Sequence, residues 1–169
     1  ADVLQGLYFL EDNYNLETIR KNYDFYEPRT VHESSLSPCV HAILASKLGY
    51  KEKAYNLYVR TARLDLDDYN NEVAEGCHVT SMAGTYMSIV EGFGGMRIQD
   101  GELHFNPFIP EQWNLYSFIV KFRGRQIKLE VDKDKARIYN QSGEPISLYL
   151  FGKKHTLSEE EHCEAPHNG

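Results

Sequence analysis

The sequence predicts an α+β chain in which helical hairpins, of the kind that close a large helical barrel, are followed by a small antiparallel β-sandwich module. Three observations predict it. Apolar residues recur at helical spacing from Val3 to about Val90; the period breaks at Gly92-Phe93-Gly94-Gly95; and short alternating runs then follow one another between turn signals as far as Leu150.

Val3 to Leu10 reads as a helix with Val3, Leu4, Leu7, Tyr8 and Leu10 on a broad apolar face. It opens inside the apolar pattern, with neither a methionine nor a cap ahead of it, so the chain is expected to be a piece of something longer. After the polar break Glu11 to Asn15, a second helix runs from Leu16 to Tyr26 with Ile19, Tyr23 and Tyr26 on one side, and Pro28 ends it. The third is expected from Pro38 to Leu48, with Ser37 as its cap, Pro38 at its first position and Gly49 as its left-handed stop. Its inward residues are Val40, Ile43, Leu44 and Leu48. A fourth, about Lys51 to Arg63, turns Ala54, Leu57, Tyr58 and Ala62 inward and forms an antiparallel pair with the third. The run Leu64 to Glu72 reads as an acidic loop, and a buried helix is expected from the Gly76 turn to about Val90.

The β part begins with Met96 to Ile98 and Leu103 to Phe105 around Asp100-Gly101, a strong hairpin signal. Phe118, Val120 and Phe122 alternate, then Ile127, Leu129 and Val131 beyond the Gly124 turn; Ile138 follows, and Ile146, Leu148 and Leu150 form the last expected strand. Lys121, Arg123, Arg125, Lys128 and Lys133 read as a charged edge that discourages pairing with another chain. The domain reading is therefore 1–92 for barrel helices, 93–157 for the β module and 158–169 for a polar tail.

Charge and cysteine content bound the function. Hydrophobic residues at 41% supply a core, while a net charge of −7 opposes both a nucleic-acid groove and an anionic membrane surface, so neither is an expected partner. No apolar run approaches the roughly 18 residues that read as a membrane span. Cys39, Cys77 and Cys163 form no disulfide framework, which points to a reducing cytoplasm, with Cys39 and Cys77 as small buried residues. His162-Cys163 with His167 offers too few ligands at zinc spacing, and no metal is expected.

Two turns carry candidate chemistry. His32-Glu33-Ser34-Ser35-Leu36-Ser37-Pro38 puts hydroxyls just ahead of a helix N-terminus, whose N–H groups and partial positive charge suit a small anion such as phosphate; ordinary capping uses the same residues. Gly76-Cys77-His78-Val79-Thr80-Ser81-Met82-Ala83-Gly84 repeats the recipe with an imidazole and two hydroxyls, so both turns are able to serve one ligand. Asp65, Asp67 and Asp68 lack the order of a calcium loop and read either as catalytic acids or, more simply, as groups that bond backbone N–H.

Four blocks in one order, Val31 to Pro38, Tyr58 to Tyr69, His78 to Gly84 and Gly92 to Arg97, resemble the C-terminal portion of glycoside hydrolase family 65, and within it the maltose-cleaving phosphorylases. The resemblance implies an N-terminal β-sandwich, a linker, an (α/α)6 barrel and a C-terminal β module, of which this chain would hold the last barrel helices and the module. It implies an inverting disaccharide phosphorylase, cytoplasmic and homodimeric at full length, in which inorganic phosphate attacks an α-linked glucose disaccharide with no metal or organic cofactor. Ser34, Ser35 and His78 fall where the family binds phosphate, with Thr80 and Ser81 adjacent. The general-acid glutamate falls in barrel segments outside these residues, and neither Glu33 nor Glu75 replaces it, so this chain has no catalytic residue of its own and requires the remainder of the barrel. The competing expectation is a non-catalytic structural or carbohydrate-binding module, with Trp113 and Tyr116 able to stack on sugar rings, although both read more simply as core or interface packing.

Overall fold

A computed structural model describes residues 1–32, 36–68, 71, 74 and 76–167. The chain divides into two units, Ala1–Gly92 and Phe93–Gly169. The fold is α+β.

The first unit holds α1 (Asp2–Phe9), α2 (Leu16–Tyr26), α3 (Ser37–Lys47), α4 (Lys51–Ala62), α5 (Leu64–Asp67) and α6 (Val79–Met87). Asn15 starts α2 by accepting the Thr18 N–H at 2.8 Å. At the centre lies α3, buried continuously from Ser37 to Ala45, because its sequence carries small or apolar residues all round rather than on one stripe. It ends as Gly49 predicts. With φ of 81°, Gly49 lets its own N–H reach Ser46 O (3.1 Å) and the Tyr50 N–H reach Ala45 O (2.9 Å), a Schellman pair that turns the chain into α4. Around α3 the expected residues Leu4, Leu7, Ile19, Tyr23, Ala54 and Leu57 are buried, whereas Val3 and Leu10 are exposed.

Three local expectations are corrected. The α3 cap is Leu36, with no side-chain bond; Ser37 is the first helical residue, and its Oγ lies 3.0 Å from His32 Nδ1. The acidic run is not all loop, since Leu64, buried, anchors the short helix α5, which Asp68 ends in the left-handed region. The last helix gives way after Met87 to a π-helical turn, Ser88–Phe93.

The second unit forms two four-stranded sheets, in the orders β1-β2-β6-β7 and β3-β4-β5-β8. The strands are β1 (Arg97–Gln99), β2 (Glu102–Phe105), β3 (Leu115–Phe122), β4 (Arg125–Asp132), β5 (Lys135–Asn140), β6 (Ile146–Leu150), β7 (Lys153–Leu157) and β8 (His162–Pro166). Positive φ at both Asp100 and Gly101 makes the β1–β2 connection the predicted two-residue turn. Alternation gives each sheet one apolar face: Leu103, Phe105, Leu148 and Leu150 on one, Ile127, Leu129, Val131 and Ile138 on the other. Pairing is antiparallel except between β2 and β6, which run parallel with Leu103 opposite Leu148.

Here too the sequence reading needs correction. The polar tail contains a strand, β8, whose Cys163 is buried opposite Ile138. Arg125 and Lys128 lie on the internal strand β4, where they pair with Glu144 and Glu130 (both 2.7 Å), and so guard no edge. Tyr116 is buried, with its hydroxyl 2.7 Å from Phe93 O and 3.0 Å from Phe108 O, and the Trp113 ring packs edge-on against Phe93. The Tyr116 ring is thus withdrawn from sugar stacking, whereas Trp113 is half-buried. Cys77, expected inside, is exposed. No helix among the described residues is long and apolar enough to cross a membrane.

Candidate functional site

The segment that ends α4 and forms α5, Arg60 to Asp65, holds both candidate turns. Arg60 Nη2 donates to the carbonyl of His32 at 2.9 Å, fixing the chain just before the first serine pair. One residue on, Thr61 O accepts the Ser81 hydroxyl at 2.8 Å. Four further on, Asp65 takes His78 by two points: Oδ2 accepts the backbone N–H at 3.0 Å, and Oδ1 meets ring Nδ1 at 2.5 Å. These bonds hold the Asp65 carboxyl below the usual carboxylate range, the His78 side chain being the leading cause.

His78 is the N-cap of α6, and Thr80 stands exposed in its first turn. Thr80 lines a cavity of about 580 Å³ together with Leu36 and Ser37, the N-terminal residues of α3. Residues near the starts of α3 and α6 therefore line one cavity, whose wall also holds Asp2 and does not include His78. Tyr8, Val40 and Met87 complete much of its wall. The approach of α6 to α3 is permitted by Gly84, where an added Cβ would meet Cys39 Cβ at 2.8 Å and its sulfur at 2.9 Å.

Of the residues expected to bind phosphate, Ser34 and Ser35 lie outside the described residues. His78 and Thr80 sit at the N-terminus of α6. Ser81 does not join them. It is 2% exposed and its hydroxyl is committed to α4, so its role is to seat the turn. Sequence reasoning missed Arg60 and Thr61, and took Asp65 for a backbone-bonding group, which is half of what it does.

Among the described residues, Glu27, His32 and His41 bring potential metal-ligand atoms within 4.8 Å of one another. The surrounding charge opposes a cation there. Lys53 holds Glu27 Oε2 at 2.5 Å, and Arg60 stands at His32. His41, 1% exposed, is pushed down to about 3, mainly by burial; His32 is also lowered, by burial and then by Arg60. The two imidazole rings meet edge-to-face, with centroids 4.6 Å apart.

Comparison with known proteins identifies the scaffold. Residues 1–87 match the glycosyl hydrolase family 65 central catalytic domain, and residues 96–157 match the C-terminal domain of the same family. The chain belongs to glycosyl hydrolase family 65. Within that family it is 47% identical over 160 residues to the alpha,alpha-trehalose phosphorylase of Thermoanaerobacter brockii, covering 95% of this chain and 21% of that protein. It is 50% identical over 151 residues to the maltose phosphorylase of Bacillus subtilis, covering 89% of this chain and 20% of that one. A solved structure, "Putative kojibiose phosphorylase from human microbiome", superposes on 99% of this chain and 24% of its own length, with a TM-score of 0.92 and 38% identity. The chain thus spans about a fifth of the length of the curated family 65 relatives it matches.

Proposed function

We propose that this chain supplies the phosphate side of the active site of an inverting phosphorylase that cleaves α-linked glucose disaccharides. In that reaction a phosphate oxygen attacks the anomeric carbon, the bond from that carbon to the glycosidic oxygen breaks, and the leaving oxygen takes a proton from a carboxylic acid. Glucose and β-glucose 1-phosphate result. The acid belongs to barrel segments outside these residues, so the work assigned to this chain is to bind and orient the nucleophile, with Ser34, Ser35, His78 and Thr80 as the binding groups. The observation that carries the reading is that Ser37 and Thr80, each in the first turn of its helix, where the partial positive charge lies, line one cavity. Maltose is the favoured substrate on the four sequence blocks, with trehalose and kojibiose as the alternatives suggested by the relatives' names. The reading further has the chain working in the cytoplasm with the rest of its barrel, in a homodimer.

Inorganic phosphate titrated into the 169-residue chain should raise its thermal midpoint, and His78→Ala should abolish that rise. Equal stabilisation of both proteins by phosphate would overturn the assignment.

A further inference from the structure

We infer that Glu27, His32 and His41 hold one buried water molecule between them, a polar node that ties the C-cap of α2 to the body of α3. The inference goes beyond the phosphate reading and does not depend on it. His32 Nε2 and both ring nitrogens of His41 are sealed from solvent and have no hydrogen-bond partner among the described residues. Polar atoms so placed in a folded protein are met by protein groups or by ordered water. The edge-to-face contact of the two rings offers a π face to at most one N–H, so it does not account for all three nitrogens.

Geometry supplies the place. One nitrogen or oxygen from each of the three side chains lies within 4.8 Å of the other two. For any such triangle a single point lies no more than about 2.8 Å from every corner, which is the length of a hydrogen bond to oxygen. Glu27 Oε1 and His32 Nε2, 3.9 Å apart, are too distant to bond directly and close enough to share a bridging atom. The side chains around that point are held in turn. Lys53 takes the other Glu27 oxygen at 2.5 Å, Ser37 Oγ lies 3.0 Å from His32 Nδ1, and the Tyr23 hydroxyl donates to the His41 carbonyl at 3.2 Å.

The chemistry of the three partners selects the occupant. A carboxylate only accepts, while a neutral imidazole offers one donor and one acceptor. The group between them must therefore donate to Glu27 and either accept or donate at the rings. An anion would meet the Glu27 charge. A metal ion would meet Lys53 on the same carboxylate, and ligand distances of about 2.0–2.2 Å at a tetrahedral angle would draw Glu27 and His32 closer together than they stand. Water serves all three partners and, being uncharged, agrees with rings that burial keeps neutral. Glu27 and His32 also line a cavity of about 460 Å³ with Glu52, Lys53 and Asn56, which gives water a way in.

The test is a crystal structure of the unaltered chain, at a resolution that shows ordered water, from crystals grown without divalent metals, with a parallel set soaked in zinc chloride. One peak of a water's height should stand about 2.6–3.2 Å from Glu27 Oε1, from His32 Nε2 and from a His41 nitrogen. The zinc-soaked crystals should show no anomalous peak at that point. A second measurement is made in solution: water should give negative NOEs to the carbon-bound ring protons of both histidines, the sign of a long-lived hydration site. A site without a peak, zinc bound by the three side chains, or positive NOEs at both rings overturns the inference.

Discussion

Acidification from pH 7 to pH 5 should cost the helical unit about 2 kcal/mol of stability, and His41 is the reason. In the folded chain its ring is 1% exposed, touches His32 edge-to-face, and titrates at about 3 instead of 6.5. The folded state thus binds fewer protons than the unfolded state below pH 6.5. Stability from this group is complete above 6.5 and is lost as pH falls towards 3, at about 1.4 kcal/mol per unit once well below 6.5. Over the window from pH 7 to 5 the integrated loss is about 2 kcal/mol. His32, also lowered, adds in the same direction. The carboxyls held low in the fold, Asp65 and Asp132 among them, lose their contribution only as pH falls through the carboxylate range, below this window. Urea unfolding followed by circular dichroism at 222 nm, where the helices dominate, measures the loss. His41→Leu removes the titration at similar volume and should flatten the pH dependence, leaving the smaller His32 slope. A loss below about 0.5 kcal/mol in the unaltered chain, or an equal slope in His41→Leu, would refute the reasoning.

Gly84→Ala should destabilise the first unit by about 1–3 kcal/mol in the same assay, because the new methyl overlaps Cys39 and cannot be relieved without parting α6 from α3. Tyr116→Phe should cost the second unit about 1 kcal/mol, read from near-UV melting, since it removes the buried hydroxyl that bonds Phe93 O and Phe108 O, while Phe93 O keeps the Phe108 N–H. The chain alone, mixed with maltose and phosphate, should release no glucose above background in a coupled glucose assay; phosphorolysis by the isolated chain would place the general acid within these residues.

Much of the fold was legible because it rests on local signals. Gly49 and Asp100-Gly101 stand where the backbone takes positive φ, and the third helix and the strands β2, β4 and β6 repeat their apolar residues at the period their geometry demands. The parts that escaped lack such a period. Strands β7 and β8 lie at sheet edges with one buried residue each, so Lys153 to Leu157 and His162 to Pro166 carry no apolar alternation that marks a strand. Helix α5 is a single turn inside an acidic run. At the candidate site, hydroxyls ahead of two helices suggested anion-binding turns, whereas the bonds from Asp65 to His78 join residues 13 apart, a relation that no spacing rule encodes. Thr80 and Ser81 are adjacent and chemically alike. Which one faces the cavity is set by the seating of α6 on α4, and only the structure separates them.

The central claim, that the two helix starts share one phosphate, is tested most directly by a crystal structure of the chain grown with molybdate, a phosphate-shaped oxyanion with anomalous signal. The account predicts one anomalous peak at the N-terminus of α6, with an oxygen about 2.7–3.1 Å from His78 Nε2 and others facing the Ser34 and Ser35 hydroxyls. A crystal with no peak there, or with the anion bound away from both turns, would contradict it.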